Sequence, residues 1–152
     1  VTSPQERLAE LGLSVPEVAA PVASYIPALR SGDHVFTSGQ LPLREGELIH
    51  TGKVGGEITL EQGAACAQQC VLNAIAAVAS QVPLEQVRRI VKLTVFVAST
   101  PDFTGQPKVA NGASDLVGEV FGEAGRHTRS AVGVAVLPLD APVEVEMVVE
   151  VG

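Results

Sequence analysis

The sequence predicts an α+β fold in two layers: a mixed β-sheet with two long helices on one face, plus a short N-terminal helix. Three observations lead there. Apolar patterning runs helix, strands, helix, strand, helix, two strands, and long helices between strands favour crossovers on one side of a sheet. Segments 59–81 and 107–121 repeat apolar residues every three or four positions. The C-terminal segment alternates, with Val143, Val145, Met147, Val149 and Val151 on one face and Glu144, Glu146 and Glu150 on the other. The 152 residues suit a single domain, 1–152, with residues 1–20 as an N-terminal arm.

Ser3, Pro4 and Glu6 form a helix start, with a serine cap and proline in the first turn, and Gly12 marks the end. A Val, Pro and Ala connector follows to Pro21. Residues 25–29 suggest a short strand and 30–33 a turn. Residues 34–40 read as a strand of mixed faces ending at Ser38-Gly39-Gln40, where a glycine allows close backbone approach. Residues 48–51 suggest a short edge strand. Gly52-Lys53-Val54-Gly55-Gly56 lacks the Gly-Lys-Ser/Thr ending of a phosphate loop and reads as an ordinary loop.

Thr59 with Gln62 is a capping-box pattern that opens the first long helix, and Pro83 stops it. Residues 86–98 are nearly all apolar beyond Arg89, which suggests a central strand. Val109, Ala113, Leu116, Val117 and Val120 form the stripe of the second long helix. The run from Arg129 to Leu137 and the run from Val143 to Val151 are then two strands. The turn Pro138-Leu139-Asp140-Ala141 between them suggests a hairpin, which would put Arg129 at one end of the sheet and the glutamates on the adjoining strand.

With 46% hydrophobic but only 3% aromatic residues and no Trp, the core must be aliphatic and the packing close. Small residues let helices approach a sheet tightly. The net charge of −7 argues against broad nucleic-acid binding, which needs basic patches to neutralise phosphates. No apolar run approaches the roughly 18 residues of a membrane span, and the polar start carries no signal-peptide pattern, so a cytoplasmic, reduced protein is expected. Cys66 and Cys70 sit four apart in a helical segment with no matching Cys/His pair elsewhere, so no metal site is expected. They read as buried thiols.

Arg129 followed by a glutamate-lined strand has two readings. A fixed guanidinium and a carboxylate can hold a small acid and a water; alternatively they form a surface ladder. His127 invites an acid/base role, but a lone histidine beside a Gly-Arg turn reads as a surface residue.

Six sets of residues, in order, resemble the signature segments of the RidA/YjgF family of enamine/imine deaminases: Ser38-Gly39-Gln40-Leu41-Pro42, Val91-Lys92-Leu93-Thr94-Val95-Phe96-Val97, Asp102-Phe103 with Asn111, Arg129-Ser130-Ala131-Val132, Leu137-Pro138, and Val143-Glu144-Val145-Glu146. The likeness runs from about Tyr25 to the C-terminus. The Asn-Gly-Ala-Ser-Asp-Leu and Gly-Arg-His segments resemble the longer subgroup of the family, of about 150 residues. The resemblance implies a chorismate-mutase-like fold, a homotrimer with a ligand site in each cleft between subunits, and no cofactor. It implies that Arg129 binds a substrate carboxylate, that Glu144 positions water, and that Tyr25, Ser38, Gly39, Asn111 and Ala131 line the pocket. Ala131 stands where deaminating members often have cysteine, and Gly133 where they often have glutamate.

The activity implied is hydrolysis of 2-enamine and 2-imino acids to 2-keto acids and ammonia. The alternative is a non-catalytic or regulatory protein that binds a small carboxylic acid on the same trimer. RNA cleavage, suggested by an old name for some relatives, fits the acidic chain least.

Overall fold

The computed structural model describes residues 2–20 and 23–152. The connector expected to end at Pro21 therefore lies partly outside the described residues, as does Val1. Helix α1, Pro4–Glu10, starts as the sequence predicts: the Glu6 backbone N–H donates to Ser3 Oγ (3.1 Å), and the Glu6 carboxylate accepts from the Ser3 N–H. Its one fully buried residue, Leu8, anchors the helix to the core.

The main sheet has five strands: β1 (Ala28–Ser31), β2 (His34–Thr37), β5 (Val87–Ala98), β6 (Thr128–Val134) and β7 (Val143–Val151). A two-residue pair, β3 (Leu43–Arg44) with β4 (Glu47–Leu48), stands apart. The main order is β1-β2-β7-β5-β6. Helices α2 (Leu60–Ala79) and α3 (Gln106–Phe121) cover one face. The first strand thus begins at Ala28, later than the 25–29 segment predicted, because Tyr25 sits in a bend whose N–H donates to Ala23 O. The edge strand expected at 48–51 shrinks to β4.

The hairpin expectation is wrong. β6 does not pair with β7; it lies parallel to β5 at the sheet edge, with Leu93 opposite Arg129 and Val97 opposite Gly133. β7 instead inserts between β2 and β5, antiparallel to both. Residues 135–142 are too long for a tight hairpin. They are also held elsewhere, since Gly52 N–H donates to Asp140 O and Lys53 Nζ pairs with the Asp140 carboxylate. Inserted between β2 and β5, β7 pairs along both edges.

Alternation along β7 sends Val143, Val145, Met147, Val149 and Val151 into the core, all at most 1% exposed, with Leu93, Val95 and Val97 of β5 beside them. The opposite sheet face has no helix over it. Leu29, Phe36 and Val132 there are each more than 40% exposed.

Helix α2 opens with the capping box read from Thr59 and Gln62 (Gln62 N–H to Thr59 Oγ1, 3.1 Å) and buries both Cys66 and Cys70. Burial pushes the Cys66 thiol up to about 12, only partly countered by Arg44, and raises Cys70 as well. Helices α2 and α3 touch backbone to backbone: a Cβ at Gly112 would collide with the Ala64 carbonyl. Gly112→Ala would normally favour a helix by up to ~1 kcal/mol. Here it is expected to destabilise the protein by about 1–3 kcal/mol, read as a lower thermal midpoint; an unchanged or higher midpoint would refute the close contact.

Candidate functional site

Two groups of the residues singled out from sequence come together, on opposite faces of the sheet. The first surrounds Glu144. The ladder between β2 and β7 runs to Phe36 opposite Val148 and resumes where Gln40 exchanges both backbone hydrogen bonds with Val145. Between these points the β2 side advances four residues and the β7 side three, so one residue is extra. That makes a bulge. The Met147 N–H, left without a backbone partner there, donates to Thr37 Oγ1 at 3.0 Å.

The bulged segment carries Ser38 and Gly39 across β7. Gly39 lies directly over Glu144, and any Cβ there would strike the Glu144 carboxylate. A side chain at 39 would have to push the Glu144 carboxylate out of this position. Ser38 Oγ donates to Ile26 O at 2.6 Å, which commits its hydroxyl to closing the loop before β1. Tyr25 and Gly39 line one crevice with Gln40. Glu144 projects with Phe96 onto the face without helices, away from the apolar row. Its carboxyl is pushed above the usual 4.5, first by burial and then by the charge of Glu146.

The second group lies along the seam between β6 and α3. Arg129 shares the helix-covered face with Leu93, and Ala131 with Val95. The guanidinium reaches back to α3: Nη1 donates to Asn111 Oδ1 at 2.8 Å and to Ser114 Oγ at 3.1 Å, and Nη2 donates to Pro107 O at 3.4 Å. A guanidinium has five N–H groups. Among the described residues, Nε–H and one Nη2–H are left without a partner, and neither ion pair involves Arg129 or Glu144. These two donors are on adjacent nitrogens, the spacing that meets a carboxylate with two prongs.

His127 is not the surface residue the sequence suggested. Its Nδ1 faces Gly125 O at 2.6 Å and its Nε2 faces Ser114 Oγ at 2.8 Å. Sequence reasoning missed Ser114. The signal was present: Ser114 follows Asn111 by three, the spacing of neighbours on one helix face.

A family profile described as "YjgF/chorismate_mutase-like, putative endoribonuclease" matches residues 5–151. The chain belongs to the YjgF/RidA family. It is 46% identical over 145 residues to Protein TCP17 of Trypanosoma cruzi, covering 94% of this chain and 91% of that one. It is 32% identical over 139 residues to a 2-iminobutanoate/2-iminopropanoate deaminase of Dermatophagoides farinae, covering 90% and 93%. Among solved structures, Atu1372 of Agrobacterium tumefaciens, of unknown function, superposes with a TM-score of 0.92 at 41% identity, covering 98% of this chain and 93% of that one. The mixed sheet with its helices on one face is the chorismate-mutase-like fold of the YjgF structures.

Within this YjgF/RidA chain the space beside Gly133 is already filled. A Cβ there would lie 2.8 Å from Gln106 Nε2 and 2.9 Å from Ser99 Oγ. Gln106 is held by its own bonds to Phe103 O and Ser99 Oγ. A larger side chain at 133 would have to displace this amide.

The raised Glu144 pKa has a stability consequence. Above pH 4.5 the unfolded chain has released this proton while the folded chain still holds it, so stability falls as pH rises through that interval. Glu144→Gln removes the effect. The variant is expected to melt above wild type at neutral pH, with the gap closing below about pH 4. A gap independent of pH in thermal melts would refute the shift.

Proposed function

We propose that this chain hydrolyses 2-imino acids and their 2-enamine tautomers to 2-keto acids and ammonia, at a cleft between subunits of a homotrimer. The observation that carries this reading is the Arg129 guanidinium, held on three α3 acceptors with Nε–H and one Nη2–H available, in a chain related to an imine deaminase. Within one chain, Arg129 with Asn111 and Glu144 with Gly39 lie on opposite sheet faces. A site using both groups needs the Arg129 group of one copy against the Glu144 group of another. The uncovered sheet face, with exposed Leu29, Phe36 and Val132, supports such an assembly.

In this reading Arg129 takes the substrate carboxylate with both free prongs, beside Asn111. The imine carbon is already electrophilic, so no enzyme nucleophile is needed. Water held by Glu144 and by backbone carbonyls along Ser38, Gly39 and Ala131 attacks that carbon. Glu144 passes a proton from the attacking water to the imine nitrogen, giving the carbinolamine. It then moves the hydroxyl proton to that nitrogen as the C=O bond forms and the C–N bond breaks, and the keto acid and ammonia leave. The cysteine of other members is absent at Ala131, so only its backbone carbonyl can serve. Tyr25 borders the pocket beside Gly39. No cofactor enters this scheme.

No helix among the described residues is long and apolar enough to cross a membrane. The buried free thiols fit a reducing compartment, and we take the cytoplasm as the place of action. The net charge of −7 argues against RNA as substrate.

With 2-iminopropionate generated in situ, Arg129→Ala is expected to lower kcat/KM by at least about 100-fold, the lower end of the worth of two charge-assisted hydrogen bonds. Arg129→Lys should recover little, since an ammonium cannot form the fork. Turnover unaffected by Arg129→Ala would overturn the assignment. Pyruvate binding through Arg129 without any turnover in wild type would favour a non-catalytic acid-binding protein.

A further inference from the structure

Arg129 is the middle of a chain of hydrogen bonds, and the direction of each bond is forced. Gly125 O can only accept, so His127 Nδ1 at 2.6 Å must carry the proton. In the neutral ring Nε2 is then an acceptor, so the Ser114 hydroxyl donates to it across 2.8 Å. With its proton spent on His127, Ser114 Oγ turns its lone pairs to Arg129 Nη1, 3.1 Å away. Asn111 Oδ1 accepts from the same nitrogen at 2.8 Å.

Together Asn111 and Ser114 use both Nη1 protons. The guanidinium can then offer a ligand only its Nε/Nη2 edge.

We propose that Ser114 and His127 are positioning residues that fix which edge of the Arg129 guanidinium faces a bound carboxylate. The inference rests on the reading of Arg129 as a carboxylate anchor. His127 is needed because a helical serine otherwise bonds its own backbone one turn back. That would swing the Ser114 lone pairs away from Arg129. With Ser114 silent, one Nη1–H is freed and the guanidinium rotates in its plane, presenting the wrong pair of donors part of the time. His127 touches no ligand; it acts through Ser114 alone.

This predicts a specific non-additivity, read as the pyruvate dissociation constant by titration calorimetry. Ser114→Val is expected to weaken binding about tenfold, whereas Ser114→Thr, of the same shape but with the hydroxyl kept, should bind within about twofold of wild type. His127→Ala should weaken binding about threefold in the wild-type background and not at all in the Ser114→Val background. The Thr and Val variants share any burden of β-branching on α3, so a loss common to both would be structural and would count against the inference. Equal affinity of Ser114→Val and wild type would overturn it. So would a His127→Ala effect that persists without the hydroxyl. Arg129→Ala separates the two levels: if it binds pyruvate normally, the anchor reading itself fails. If it loses pyruvate while Ser114→Val does not, only the positioning inference fails.

Discussion

Five side chains of β7, Val143, Val145, Met147, Val149 and Val151, make an unbroken apolar strip at most 1% exposed. Burying a side chain of this size contributes about 1.5–3 kcal/mol, so this strand has the strongest claim on the centre of the sheet. The crossover between β2 and β5 leaves it a place there. β2 and β5 are parallel to each other because each is antiparallel to β7. The chain crosses from β2 to β5 over α2, a helix about 10 Å wide, while neighbouring strands lie about 4.8 Å apart. This crossover leaves one strand position between β2 and β5, which β7 fills, whereas the crossover over α3 sets β6 directly beside β5.

The placement of both candidate half-sites follows. Paired with the β2 side on one edge, β7 meets the bulge at Ser38 and Gly39, and Glu144 comes to lie beneath Gly39. Paired with β5 on the other edge, β7 leaves β6 at the border of the sheet. An edge strand keeps its helix-facing row only partly covered, so the polar residues of α3 can engage Arg129 without full desolvation. Alternation does the rest: Arg129 follows the parity of Leu93 and Glu144 that of Phe96, so they face opposite ways. The division of labour between two copies proposed for the site is therefore a consequence of the period-two side-chain geometry of strands.

Much of the fold was legible in the residues. The capping boxes at Ser3 and Thr59 are local and declare themselves through serine or threonine followed by a glutamate or glutamine at the third position. The stripes of α2 and α3 and the alternation of β7 depend only on local period. Several candidate site residues also stood out, Arg129, Glu144, Gly39 and Asn111 among them, because their flanking segments carry a family pattern. Ser114 did not, since a serine on a half-exposed helix face looks the same whether or not an arginine from another strand reaches it. His127 looked isolated for the same reason: its side-chain partner, Ser114, meets it only when the chain entering β6 lies under α3, and Gly125 O, two residues back, is a backbone atom that no side-chain pattern marks.

The sequence by itself determined the long helices and strands, the stripes of α2 and α3, the alternation of β7 and the acidic, aromatic-poor character of the chain, since these depend on composition and on neighbours within a turn or two. It also marked Arg129 and Glu144 as the residues to watch. Only the tertiary structure decided strand order, because the partners of β7 are β2 and β5, both distant in sequence, and no local pattern names them. That order set Arg129 and Glu144 on opposite faces, brought Gly39 onto the Glu144 carboxylate, and tied Arg129 to Asn111, Ser114 and, through Ser114, His127.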